Sequence, residues 1–285
     1  MSGKGAIMKL LSFVRPNDHK PSWGIISGTG VIDVGHGSGT LRDALGDSAA
    51  LKAAASRPVD FALADVTYLP PITNPDKIIC IGVNYKTHLA ETGREQPKYP
   101  MIFARWPNSH VGQGQPIIRP NVSDTFDYEG ELAVIIGKQC RHVKAADAWG
   151  VIAGYSCYND GTIRAFQRHT VQFHPGKNFY HSGSFGPWMV TPDEMGDVTR
   201  QPLQTRLNGV VVQDAVIDDL VFDIPALIEY CSTFTQLEPG DVIATGTTGG
   251  VGAYHTPPLW MKPGDVVEVD IGGIGVLSNP VVQEG

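Results

Sequence analysis

The sequence predicts a mostly β protein of the α+β class, and three observations carry that reading. Short runs rich in Val, Ile and aromatic residues recur along the chain, each bounded by Gly, Pro, Asn or Asp. The 33 glycines and 21 prolines are close to average usage for 285 residues, so they mark turns and not low complexity. Only a few segments carry a helical pattern, and no repeat of fixed period interrupts the series.

The elements follow in order. Strand candidates "IMKLLSFV" (7–14), "WGIIS" (23–27) and "GVIDVG" (30–35) open the chain, and one helical stretch, "TLRDALGDSAALKAAASR" (40–57), follows them. The proline-rich "VTYLPPITNPDK" leads into an apolar strand at 78–83, which places a domain boundary near residue 72. Residues 1–72 then form a small β-rich N-terminal domain and 73–285 the main domain. Beyond the boundary come "PMIFARW", "PIIRP", "ELAVIIG", "WGVIAGYSCYND", "PWMVT", "LQTRLNGVVVQ", "DVIATG" and "DVVEVDIGGIGVL". With turns such as Asn208-Gly209 these read as an antiparallel, barrel-like or rolled sheet. Helices are expected at "YKTHLAETG", "AADAWG", "TIRAFQRH" and "DIPALIEYCSTF".

Charge and composition narrow the function. A net charge of −7 is spread without a basic run, which argues against nucleic acid and anionic membranes as partners. No apolar run reaches the roughly 18 residues of a membrane-spanning helix. The N-terminal "MSGKGAIMKLLSFVRPND" has a short apolar stretch broken by lysine and lacks a small-residue cleavage site, so no signal peptide is expected. Cys80, Cys140, Cys157 and Cys231 are scattered without a CxxC spacing, as reduced thiols of a cytoplasmic protein would be.

The stretch "DYEGELAVIIG" holds the first chemical signal. Glu129 and Glu131 are two apart at the entrance of an apolar strand, so their side chains share a face. An isolated pair of this kind is most often solvated at a sheet edge. Asp160 alters the balance, because "GYSCYND" runs from an apolar strand directly into a carboxylate at the strand terminus. Three carboxylates with positions left for water and substrate suit Mg²⁺ or Mn²⁺ better than zinc, and a dication would turn their repulsion into coordination.

Several other residues admit two readings each. His88 and Glu91 are three apart and share a helix face ahead of Gly93. They form either a surface pair or a histidine general base oriented by a carboxylate. Lys177, taken by itself, reads as an ordinary surface lysine. Arg164 and Gln167 lie on a solvated helix face or reach the site, and Tyr158 is a core aromatic or a pocket wall. The glycine-rich "ATGTTGGVG" follows a strand with no helix opening after it, which disfavours a nucleotide loop. Its backbone N–H groups and the Thr247 hydroxyl could hold a substrate carboxylate.

From about residue 75 onward the chain resembles the fumarylacetoacetate hydrolase family. The matching pieces occur in order: "IGVNYKTHLAE", "YEGELAVIIG", "GYSCYNDGTIRAFQ", "GKNFYHSGSFGPWMV", "RLNGVVVQ" and "LEPGDVIATGTTGGVG". The resemblance implies a mixed β-sandwich roll, usually a homodimer, with one Mg²⁺ or Mn²⁺ per subunit on Glu129, Glu131 and Asp160. It implies a keto acid substrate that chelates the metal, a His88–Glu91 pair on a flexible lid that activates water, and Lys177 inside the pocket steadying an enolate. The chain departs from the pattern at Thr248, where many members have Pro, at Tyr180, where Asp is common, and at Arg105 in "Phe103-Ala104-Arg105", where Lys is common. Tyr180 with His181 is therefore expected to reshape the substrate end.

The activity expected on this basis is hydrolysis of a carbon–carbon bond in a 2,4-dioxo acid such as an acylpyruvate, giving pyruvate and a second acid. The alternatives are decarboxylation, isomerisation or hydration of a related 2-oxo or 2-hydroxy-dienoate acid. A non-catalytic keto-acid-binding protein is disfavoured, since it has no need of His88 and Glu91.

Overall fold

The computed structural model describes residues 8–285. Residues 1–7, which include Ile7 of the first expected strand and part of the stretch examined for a signal peptide, lie outside the described residues.

Strand periodicity organises two large sheets and one two-stranded ribbon, Phe126–Asp127 with Thr162–Ile163. Gly130–Ile136 is buried at every position, which calls for cover on both faces. Its alternate residues supply that cover: Leu132, Val134 and Ile136 enter one core, Ala133 and Ile135 another. The strand runs antiparallel to Ile152–Asn159 on one side and to Val242–Thr247 on the other. The larger sheet continues through Gly183–Val190, Lys9–Val14, Pro21–Ser27, Gly30–Asp33 and Phe61–Ala62 at one end. At the other it continues through Ile78–Gly82 and Met101–Arg105.

A second sheet is ordered Val210–Val216, Pro202–Leu207, Val266–Ile271, Gly275–Gln283 and Ile117–Arg119. Leu203, Val269 and Ile271 from this sheet meet Leu132 and Val134 in one core, with Leu227 and Ile228 of helix Ile224–Phe234. Asp223 starts that helix by accepting a hydrogen bond from Ala226 N at 2.8 Å. The fold is mostly β, as expected. It is mixed, because Val242–Thr247 pairs in parallel with Ile78–Gly82, and Gly275–Gln283 pairs in parallel with Ile117–Arg119.

The stretch 40–57 forms two short helices, Leu41–Ala44 and Ser48–Ala54, instead of one. Gly46 and Asp47 interrupt it, and the Asp47 carboxylate caps the second helix by accepting from Ala50 N at 2.9 Å. Asn208-Gly209 makes the expected tight hairpin turn, both residues at positive φ. Cys80, Cys157 and Cys231 are buried free thiols, and Cys140 is half-buried. Among the described residues no helix is long and apolar enough to cross a membrane.

The segment before residue 72 is bonded into the larger sheet. Lys9 and Leu10 pair with Val190 and Met189, and Leu10, Trp23 and Ile25 share a core with Cys80, Ala133 and Val242. Leu10→Ala, at a fully buried position, should cost about 3 kcal/mol. Denaturant unfolding should show one transition by both tryptophan fluorescence and far-UV circular dichroism; two separated transitions would mean that the first 72 residues fold on their own.

Candidate active site

The site is assembled where the entrance of one strand meets the exit of its neighbour. The register sets Gly130 opposite Asn159 and Glu131 opposite Tyr158, so Glu129 and Asp160 flank the same end of the pair. Asp160 N donates to Glu129 O at 2.8 Å, and Glu129 N donates to Asn159 Oδ1 at 3.1 Å. Glu131 Oε2 accepts from Gly246 N at 2.9 Å. Glu129, Glu131 and Asp160 are all buried, and one carboxylate oxygen from each lies within 4.8 Å of the others. Gly161, the residue after Asp160, packs closely on the Ser182 backbone, where a Cβ would stand 1.9 Å from Ser182 O.

Three cations brace these carboxylates. Lys177 Nζ lies 2.5 Å from Glu129 Oε2 and 2.5 Å from Asp160 Oδ2. Arg105 Nη1 lies 2.7 Å from Asp160 Oδ1. Arg164 spans Glu129 Oε1 at 2.6 Å and Asp127 Oδ2 at 2.7 Å. Burial raises the Asp160 pKa, but Lys177 and Arg105 outweigh it and hold the group below its usual 3.8. Burial likewise opposes charge on Lys177, but Asp160 and Glu129 outweigh it and push that pKa above 10.5. Glu131 has no salt bridge among the described residues: burial, followed by the charges of Asp160 and Glu129, outweighs Lys177 and drives its pKa well above 4.5.

This donor set fits a hard divalent cation. The three residues offer only oxygen ligands, they converge, and the carboxylates of Asp127, Glu129, Glu131 and Asp160 exceed the three bracing cations by one charge. The triad floors a cavity of about 630 Å³ walled by Ile81, Met101, Phe103 and Phe173.

His88 looks into the same cavity. It sits on helix Lys86–Thr92, which ends at Gly93 in the left-handed conformation. Its Nδ1 is 2.9 Å from Glu91 Oε2, and its ring meets Tyr254 edge-on at 6.1 Å. Glu91 Oε1 accepts from Gly250 N at 3.0 Å. One carboxylate thus orients the imidazole and ties the helix to the glycine-rich turn.

That turn does bind carboxylates, but they are the protein's own. Gly246 N serves Glu131, Gly250 N serves Glu91, and Gly252 N and Ala253 N serve Asp127 at 2.7 and 3.0 Å. Thr247 lines the cavity, yet its hydroxyl donates to Gly130 O at 3.0 Å and has no proton left for a substrate carboxylate. Gln167 also lines the cavity, and its Oε1 accepts from Arg164 Nη1 at 3.0 Å.

Three expected substrate contacts lie elsewhere. Tyr158 is fully buried beneath the triad, packed on His110 and Phe185, because its place opposite Glu131 turns it into the core. Tyr180 and His181 stack on each other at 3.7 Å outside the cavity, and Tyr180 is 61% exposed. The short helix His174–Lys177 points Lys177 inward, while backbone bonds from His181 to Asn108 and Ile118 hold the following turn on the outside. Sequence reasoning missed Arg105 and Asp127 as site residues. Arg105 shares a strand face with Phe103, a cavity wall, and Asp127 stands two residues before Glu129, so spacing of two was the signal for both.

The chain is similar to several known proteins. The family description "Fumarylacetoacetate (FAA) hydrolase C-terminal" matches residues 77–282. The mitochondrial oxaloacetate tautomerase Fahd2a of Rattus norvegicus is 37% identical over 287 residues, 96% of this chain and 92% of that protein. The structure of a 5-carboxymethyl-2-hydroxymuconate delta-isomerase from Mycobacterium smegmatis superposes with a TM-score of 0.79 at 34% identity, covering 98% of this chain and 100% of that one. Maleylpyruvate hydrolase from Sphingobium sp. SYK-6, solved with manganese(II) and pyruvate, gives 0.82 at 29% identity, with the same coverage.

The state of Glu131 has a measurable consequence. A carboxyl that holds its proton more tightly in the folded than in the unfolded chain favours the native state at low pH and loses that advantage as pH rises through the raised pKa. Chelator-treated protein should therefore lose thermal stability as pH rises above the ordinary glutamate value of 4.5, and excess Mg²⁺ or Mn²⁺ should remove that loss. Glu131→Gln should flatten the metal-free profile and abolish the gain from metal, both read by differential scanning calorimetry.

Proposed function

Since the chain belongs to the fumarylacetoacetate hydrolase family, we propose that it is a metal-dependent tautomerase of short 2-oxo dicarboxylic acids, oxaloacetate being the model substrate. The observation that carries this reading is one cavity holding both a carboxylate triad and, facing it, a histidine oriented by a carboxylate. Keto–enol exchange needs no more than these two groups. A relative alike over 96% of this chain is itself named an oxaloacetate tautomerase.

A divalent cation on Glu129, Glu131 and Asp160 would supply Lewis acidity to a 2-oxo group and its adjacent carboxylate, making the C3 hydrogen acidic. With Nδ1 engaged by Glu91, the His88 ring keeps Nε2 to take the proton from C3 and deliver it to the 2-oxygen, and to run the same transfer in reverse. Lys177, Arg105 and Arg164 fix the carboxylates, so the site needs little rearrangement as charge develops. Arg94 and Arg168 line the cavity as exposed guanidinium groups with no side-chain partner among the described residues, a match for the second carboxylate of a dicarboxylic acid.

Hydrolysis of a 2,4-dioxo acid is the second reading. It is favoured by the same His88–Glu91 pair, which could take its proton from water, and by the likeness to maleylpyruvate hydrolase. The two are separated by following the ultraviolet absorbance of enol-oxaloacetate and, in parallel, pyruvate release from a panel of acylpyruvates with Mg²⁺ or Mn²⁺. Rapid loss of the enol without cleavage supports tautomerisation; pyruvate release with no effect on the enol overturns it.

His88→Ala should lower turnover about 10²–10⁴-fold while Mn²⁺ affinity stays within about twofold, by calorimetry. Replacing Arg94 and Arg168 together by Ala should raise KM for oxaloacetate about tenfold. The same double variant should leave C3 deuterium exchange of a 2-oxo monocarboxylic acid, followed by NMR, nearly unchanged.

A further inference from the structure

Gln213 is out of character with its surroundings. It lies on Val210–Val216, the edge strand of the smaller sheet, whose other positions are exposed or half-buried, yet it is itself 1% exposed. A buried amide on an edge strand has to be paired, and its pairing is directional. Its Oε1 accepts from Gly130 N at 2.9 Å. Its Nε2 donates to Thr247 Oγ1 at 2.8 Å and to Thr248 O at 3.0 Å, so both amide protons are used.

These partners are pieces of the active site. Gly130 is the residue between Glu129 and Glu131, and Thr247 follows Gly246, whose N–H holds Glu131. The Thr247 hydroxyl donates to Gly130 O, which closes a ring of hydrogen bonds from Gly130 N through Gln213 and Thr247 back to Gly130 O. Gly130 cannot carry a side chain there, since a Cβ would stand 2.0 Å from Thr205 Oγ1.

A bulge brings the strand to this position. The ladder to Pro202–Leu207 pairs Thr205 with Gln213 and Arg206 with Val211, leaving Val212 as the extra residue. Its carbonyl lies against Gly250, where a Cβ would meet it at 2.0 Å, and Gly250 N is the donor to Glu91. Two successive residues of an edge strand therefore brace both halves of the site, the carboxylate triad and the dyad turn.

We propose that Gln213 is a positioning residue for cation binding: through Gly130 and Thr247 it sets the separation of the Glu129 and Glu131 carboxylates. The inference rests on the metal reading of the triad. Its test uses Mn²⁺ alone, with affinity from calorimetry and ligand geometry from the electron paramagnetic resonance spectrum of the bound ion. Gln213→Met should remain folded, weaken Mn²⁺ about 10–100-fold and alter the spectrum. Thr247→Val should act in the same direction. The double variant should bind no more weakly than Gln213→Met, because both break one ring.

Mn²⁺ affinity and spectrum unchanged in Gln213→Met, even with a lower melting temperature, would overturn the proposal, as would losses that simply add in the double variant. If Gln213→Met does not fold, Thr247→Val carries the test, and unaltered Mn²⁺ binding there overturns it equally. A parent protein that binds no Mn²⁺ would overturn the metal reading itself, a result distinct from a parent that binds and a variant that binds as well.

Discussion

Everything around the cavity answers to one constraint: four carboxylates are held out of water at one end of one strand pair. Each buried charge carries a desolvation penalty of several kcal/mol unless it is matched. Asp127, Glu129 and Asp160 engage Arg164, Lys177 and Arg105, although burial still leaves the Asp127 pKa above its ordinary value. Among the described residues Glu131 receives only the Gly246 N–H, and burial drives its pKa well above the ordinary value. A cation-binding centre is the arrangement in which that residual charge becomes an asset.

The architecture follows from the same need. Oxygen ligands from residues 129, 131 and 160 meet because antiparallel pairing brings the start of one strand to the end of the next. The supporting cations come from three other places: the strand Met101–Arg105, the short helix Arg164–Gln167, and the short helix His174–Lys177. The two cores on either side of Gly130–Ile136 keep that strand from shifting, one built with the smaller sheet and one with the N-terminal strands. The N-terminal segment therefore buttresses the floor of the site from behind.

Much of this was legible in the sequence, for reasons that are local. Spacing of two set Glu129 and Glu131 on one face, the Asn-Asp strand end placed Asp160, and a helical spacing ending at Gly93 joined His88 to Glu91. The strand runs and the Asn208-Gly209 turn followed from the same short-range rules. What was illegible depends on which side of a wall a residue falls. Tyr158 obeys the strand period but lies one layer too deep, whereas Tyr180 and His181 follow a site lysine yet face away. The glycine-rich turn was expected to hold a substrate carboxylate through its N–H groups and the Thr247 hydroxyl; its N–H groups instead hold carboxylates of the chain itself, 115 to 159 positions away, which no local pattern reveals. The break at Gly46-Asp47 was visible as a capping residue and was overridden by the run of alanines.

Glu91 divides its two oxygens between the imidazole and the backbone of residue 250, and Thr87, one turn earlier, is held by Asp219 and by Gly249 N. The alignment of the imidazole is therefore a property of the glycine-rich turn as much as of its own helix: a change that displaces the backbone of residue 250 reaches the ring through a single carboxylate.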